Sequence, residues 1–124
     1  MTLPLAILLY ENLIPGTQLV SRLQDLGYRV QTVYDTRLLV EQSAREKPLV
    51  AVLDLFSTKL DVCREIKMLK NNSGTAHIPV VAFAGQNNSE LQKAAYAAGA
   101  DLVANNTTVV LHLAQFLEQV LQVN

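Results

Sequence analysis

Short, wholly apolar runs recur along this chain, separated by stretches in which leucine, isoleucine and valine return every three or four positions. The runs read as strands covered on both faces, and the stretches between them as amphipathic helices. Leu5-Ala-Ile-Leu-Leu9 is the first such run, with Glu11 and Asn12 just beyond it. Pro15 suits the first turn of a helix, and Leu19, Leu23 and Leu26 follow at helical spacing until Gly27 stops it. Tyr28 to Val33 predicts a second strand. Asp35 or Thr36 is placed to cap a second helix that runs to about Arg45 and ends before Lys47-Pro48.

The run Leu49-Val-Ala-Val-Leu53 is the most apolar of all, and it ends in Asp54. Val62, Ile66 and Leu69 mark a third helix, closed by Asn71-Asn-Ser-Gly74. Ile78 to Phe83 predicts a fourth strand, with Pro79 at its opening end. Ser89 to Ala98 is an alanine-rich helix ended by Gly99, placed for the left-handed position after a helix. Leu102 to Ala104 is a short fifth strand, and Val109, Leu113, Leu117 and Val120 form the inner stripe of a last helix. Five strands alternating with five helices imply right-handed crossovers and a three-layer α/β sandwich over residues 1–124, one domain.

Composition narrows the class. At 124 residues, half of them hydrophobic and with a net charge of −1, the chain supports a packed core and argues against disorder. Lysine and arginine are scattered along the sequence, so no nucleic-acid surface is expected. The apolar start has no basic leader, no run reaches membrane-spanning length, and a single cysteine, Cys63, suits a reducing compartment. A cytoplasmic protein is the expectation. The Asn-x-Ser/Thr triplets at Asn71, Asn87, Asn105 and Asn106 read as loop asparagines.

Chemistry in an open α/β sheet gathers at the carboxyl ends of the strands. The first, third, fourth and fifth strands end in Tyr10-Glu11, Asp54-Leu55-Phe56, Ala84-Gly85 and Asn105-Asn106. Glu11 and Asp54 are two carboxylates placed to share a divalent cation, since magnesium takes oxygen ligands and tolerates few from protein. An aspartate beside a cation is also a nucleophile toward phosphorus. The plainer role for Asp54 is to cap the helix that follows.

The whole chain resembles the response-regulator receiver domain of two-component signalling. Val52-Leu-Asp-Leu55, Ile78-Pro-Val-Val-Ala82 and Ala97-Ala-Gly-Ala-Asp101 carry the likeness, with Leu26-Gly-Tyr28 in the expected place. The resemblance implies a flavodoxin-like fold with a five-stranded parallel sheet in the order 2-1-3-4-5. It makes Asp54 the phosphoacceptor position, with Glu11, Asp54 and the backbone carbonyl of Phe56 as the metal ligands. Departures from the family pattern are concentrated in the same place. Tyr10 stands for the first member of the acidic pair, Ala84 for the hydroxyl residue, Val103 for the aromatic switch, and Asn106 (or Asn105, one position earlier) for the lysine. The loop after Asp54 is a few residues short, and Lys59 within it is a candidate substitute cation.

A phosphoryl group adds roughly −1.5 to −2 of charge, which needs cationic and hydrogen-bonding partners to act as a switch. The sequence therefore predicts a degenerate receiver, or pseudo-receiver, that works by protein–protein contact and is not an enzyme. Its cofactor is none, or weakly bound magnesium. Its partners are a histidine kinase, an output domain or another signalling protein, with a homodimer as an option, and neither nucleic acid nor membrane. Gln92, Lys93, Tyr96, Gln115 and Gln119 mark the contact surface. The alternatives are a working phosphoacceptor at Asp54 with magnesium and, more remotely, a flavodoxin-like ligand-binding module. Asn87-Asn88 and Asn105-Asn106 offer a neutral polar rim on the same sheet edge. Cys63 reads as a small core residue, and His77 and His112 are not spaced to pair with it. With one glycine between Glu11 and Gly16, no phosphate-cradling loop follows the first strand.

Overall fold

Five strands, β1 (Leu5–Leu9), β2 (Arg29–Val33), β3 (Val50–Asp54), β4 (Val80–Ala84) and β5 (Leu102–Asn105), form one parallel sheet in the order β2-β1-β3-β4-β5. The computed structural model describes residues 3–33, 35, 38–56, 61–85 and 89–121. Thr36, Lys59, Asn87 and Asn88 lie outside the described residues, as does most of the loop after Phe56, and so do the expectations placed on them. The helices are α1 (Leu13–Asp25), α2 (Leu39–Glu46), α3 (Val62–Asn71), α4 (Ser89–Ala98), α5 (Asn106–Leu111) and α6 (Leu113–Leu121).

Every residue of β1, β3 and β4 is buried, while the edge strands β2 and β5 are only partly so. This is why the three central strands read as unbroken apolar runs: both faces of the sheet are covered, so neither set of alternating side chains meets water. Ile7, Leu9, Ala51, Leu53, Val80, Ala82 and Ala84 pack on one face with Leu39 of α2, Val62, Ile66 and Leu69 of α3, and Ala95 of α4. Ala6, Leu8, Val50, Val52, Val81 and Phe83 pack on the other with Leu19 and Leu23 of α1, Val109 of α5, and Leu113 and Leu117 of α6. Phe83 is the largest fully buried side chain, and truncating such a residue to alanine typically costs about 3–5 kcal/mol.

Local signals set several helix ends. Ile14 keeps extended angles (φ −118, ψ 115), so regular helix in α1 starts at Pro15. Gly99 has φ +117, where a side chain is strained, and its N–H returns to the carbonyls of Ala95 and Tyr96 to close α4. Asp61 caps α3 by accepting from the Arg64 N–H at 3.1 Å. Asp54 therefore does not cap that helix.

Four expectations are corrected. Leu38, not Asp35, holds the N-cap position of α2, with no side-chain cap; Asp35 instead accepts the Leu38 N–H through its backbone carbonyl, in a turn that delays the helix. Leu26 is 41% exposed, because the chain leaves α1 there and the buried spacing ends at Leu23. Leu49 is also exposed and precedes β3. The single last helix is two, interrupted at His112 (φ −116, ψ 25), so the helices among the described residues number six instead of five. The β-branched run Thr107-Thr108-Val109-Val110 is a poor helix former, yet Val109, Leu113 and Leu117 remain on the inner face across the break.

Candidate functional site at the carboxyl edge of the sheet

Strand register decides what meets at the C-terminal edge. Leu9 lies beside Leu53, Asp54 beside Phe83, and Ala84 beside Asn105. The segments leaving β1, β3, β4 and β5 are thereby brought side by side, as the alternation of elements requires. Asp54 closes β3 at 2% exposure, a buried carboxylate at the centre of that edge.

Its hydrogen bonds come from two loops. Oδ1 accepts from the Phe56 N–H at 2.9 Å. Oδ2 accepts from the Glu11 N–H at 3.4 Å and from Nδ2 of Asn12 at 3.3 Å. Burial pushes the Asp54 carboxyl above its ordinary range, and the N–H groups of Phe56, Glu11 and Asn12 pull it part of the way back. Among the described residues no lysine or arginine pairs with it. The donors to this carboxylate among the described residues are neutral.

The residues expected around Asp54 separate into distinct roles. Glu11 reaches Asp54 through its backbone, and its side chain is exposed. Tyr10 continues the face of β1 that carries Ala6 and Leu8; it packs on that core, and its ring lies against Gly16. Ala84 is fully buried among the side chains of α2, α3 and α4, and presents no hydroxyl. Asn105 caps α5 by accepting from the Thr108 N–H at 2.7 Å. Asn106 is half-buried; its Oδ1 has no hydrogen-bond partner among the described residues. It borders a surface hollow of about 250 Å³ with Ile14, Pro15, Gln18 and Val110.

Phe56 is 45% exposed beside the corner. Cys63 is half-buried against the α3 side of the core, and burial, aided by Asp61, pushes its thiol up, away from nucleophilic use. His112 sits edge-on to Phe116, with ring centroids 6.3 Å apart. Of the expected contact surface, Lys93, Tyr96, Gln115 and Gln119 are exposed and Gln92 is half-buried. Val103, at the aromatic-switch position, donates its N–H to the Tyr96 hydroxyl at 3.2 Å.

Asn12 is the site residue that sequence reasoning passed over. The signal was present: it is polar and one step past Glu11, and β1 ends at Leu9, so the chain turns over the sheet edge one residue earlier than Tyr10. The same geometry tests the expected metal. Magnesium takes oxygen ligands in near-octahedral array. Here both oxygens of Asp54 face N–H groups, and no cluster of three His, Cys, Asp or Glu side chains occurs among the described residues. As arranged, both oxygens of Asp54 meet hydrogen-bond donors and are not turned toward a set of further oxygen ligands.

No model of a known protein family and no curated protein matches this chain. Solved structures do match. The receiver domain of a sensor histidine kinase from Pseudomonas aeruginosa, solved with magnesium in its active-site cleft, superposes with a TM-score of 0.86 at 18% identity, over 97% of this chain and 98% of that one. A chemotaxis response regulator of Vibrio cholerae gives 0.78 at 18% identity over 94% and 99%. The receiver domain of a modulated diguanylate cyclase from Desulfovibrio desulfuricans gives 0.80 at 17% identity over 97% and 94%. The element order, the sheet order and the near-complete coverage of both partners lead to one conclusion: this chain has the fold of the response-regulator receiver domains.

Proposed function

We propose that this chain is a receiver module of two-component signalling that acts through protein–protein contact, as a pseudo-receiver, and not as an enzyme. One observation carries the reading: both oxygens of Asp54 are tied to neutral N–H donors, at 2.9, 3.3 and 3.4 Å. A transferred phosphoryl group bonds through one carboxyl oxygen and would have to displace the donors on that oxygen. The neighbouring strand ends offer it Ala84, Asn105 and Asn106, with no hydroxyl from β4 and no cation from β5. A lost charge-assisted hydrogen bond is worth roughly 1.5–3 kcal/mol, so two losses shift a phosphorylation equilibrium by a few powers of ten.

The partner is a cytoplasmic signalling protein, a histidine kinase or an output domain. Sensor-kinase and cyclase receivers of the same fold support that class. The contact face is the one bearing Gln92, Lys93, Tyr96, Gln115 and Gln119. Tyr96 suits it best, because the residue is 54% exposed while its hydroxyl is anchored on Val103. An ordered, open aromatic is the common anchor of a protein interface.

Treatment with acetyl phosphate in the presence of magnesium tests the reading by intact-mass spectrometry. The expected result is no acyl-phosphate adduct; stable labelling that disappears in Asp54→Ala would establish the phosphoacceptor alternative instead.

A further inference from the structure

We propose that Asn12 closes the Asp54 corner to divalent cations, and that this single side chain separates a metal-free corner from a magnesium-binding one. The inference rests on the pseudo-receiver reading, because it concerns the same carboxylate, but it is tested without any phosphodonor.

Asn12 precedes Leu13, the first residue of α1, but Ile14 is extended and Pro15 has no N–H, so the Asn12 side-chain oxygen lacks the usual first-turn donors to cap. It makes no such cap. Its backbone carbonyl accepts the Gly16 N–H at 3.2 Å, which holds the residue in place, while Nδ2 extends to Oδ2 of Asp54 at 3.3 Å. With no such cap to make, the side chain reaches the carboxylate that ends β3.

The chemistry of the pair follows from the acceptor character of a carboxylate. An ionised Asp54 has only lone pairs to offer, so the atom that faces it must bring a hydrogen, and Asn12 therefore presents its NH2 group. An NH2 group cannot ligate a cation. Turning the amide to present Oδ1 would break the bond to Asp54 and bring only a neutral oxygen, leaving a single carboxylate charge in this pair to hold the cation. The Glu11 N–H converges on the same Oδ2, so two hydrogens already point at the oxygen a cation would need.

Exchanging that amide for a carboxylate of the same shape reverses the situation. With Asn12→Asp, two buried-edge carboxylates face each other across the former hydrogen bond, which is unfavourable without a cation between them. Glu11 precedes Asn12 and Phe56 follows Asp54 by two residues, and both place a backbone N–H on the Asp54 carboxylate. The wild-type chain is thus one side chain away from a magnesium site.

Thermal melts and amide NMR spectra in EDTA and in millimolar magnesium test this on the wild type, Asn12→Asp, and Asn12→Asp combined with Asp54→Asn. The wild type is expected to melt at the same temperature in both solutions, with unmoved Glu11 and Phe56 amides. Asn12→Asp should melt lower in EDTA, recover with magnesium, and bind the ion roughly ten- to a hundredfold more tightly than wild type. The added Asp54→Asn change should abolish the recovery. If Asn12→Asp is unfolded in EDTA, refolding by magnesium gives the same support, and failure to refold overturns the proposal. It is equally overturned by a saturable magnesium response of the wild type at Glu11 and Phe56, a result that leaves the phosphodonor experiment to decide the proposed function separately.

Discussion

Lys70 and Asp101 meet at 2.9 Å at the opposite end of β4 from the Asp54 corner, joining α3 to the segment before β5. Asp101 Oδ2 also accepts the Val80 N–H at 2.8 Å, and Lys70 donates to the Ile78 carbonyl at 2.8 Å. The ion pair is partly exposed, with 20% and 44% of the two side chains accessible, so its charge–charge part is worth at most about 1 kcal/mol. The bond to the first N–H of β4 is the larger contribution. Asp101→Ala should cost about 1–2 kcal/mol in urea unfolding, since it orphans both donors. Lys70→Met should cost less than half of that. Equal losses in the two variants would show that the ion pair, not the strand contact, dominates.

Gly16 is a glycine because Tyr10 lies where its side chain would be. A Cβ there would overlap the Tyr10 ring, including Cγ, which is close to the backbone and has little room to swing away. Gly16→Ala should destabilise by about 1–3 kcal/mol, the usual range for overpacking. Combining it with Tyr10→Ala should cost less than the sum of the two single changes. Additive losses would mean that α1 shifts as a body and the contact is incidental.

The raised titration of Asp54 has a definite sign in stability. Burial, its largest cause, favours the protonated form in the fold. The contribution of this group is therefore most favourable below the ordinary carboxylate range and is lost as the pH rises through the raised value. At neutral pH the ionised Asp54 leaves the fold less stable than the protonated form would. Asp54→Asn should be more stable than wild type at neutral pH, with the difference shrinking as the solution is acidified. Chemical denaturation of both proteins across the acidic range checks it; a gap that stays constant with pH would assign the gain to something other than this carboxyl.

Tyr96 shields the outer edge of β5 through its hydroxyl. Tyr96→Phe removes the acceptor and keeps the ring. Because the contact is on the surface, global stability should change by no more than about 0.5 kcal/mol. The Val103 amide should exchange its hydrogen measurably faster, while the amides of β4 stay protected. Unchanged protection at Val103 would show that Tyr96 leaves the edge open in solution.

Much of this molecule was legible before any coordinates. The central strands announced themselves because a sheet covered on both faces leaves no polar alternation, and Asp54 stood out as the carboxylate ending the most apolar of those runs. Gly99 marked the end of α4 because a positive φ excludes most other residues there. Local rules failed where two signals competed. Asp35 and Thr36 resembled helix caps, yet α2 begins later, at Leu39. The apolar stripe running from Val109 to Val120 looked like one helix, because a break that keeps its side chains on the same face leaves no trace in the spacing.

Sequence alone thus determined the alternation of elements, the sheet and the position of its one buried carboxylate, since those follow from which residues must leave water. Tertiary structure alone decided what faces that carboxylate. Asn12 and Asp54 are 42 residues apart, and their contact depends on where β1 releases the chain and on the parallel register that sets Leu9 beside Leu53. The same holds for Tyr96 on Val103 and Lys70 on Asp101. Periodicity reports the burial of a residue against an average interior; it carries no information about which partner supplies a particular hydrogen bond.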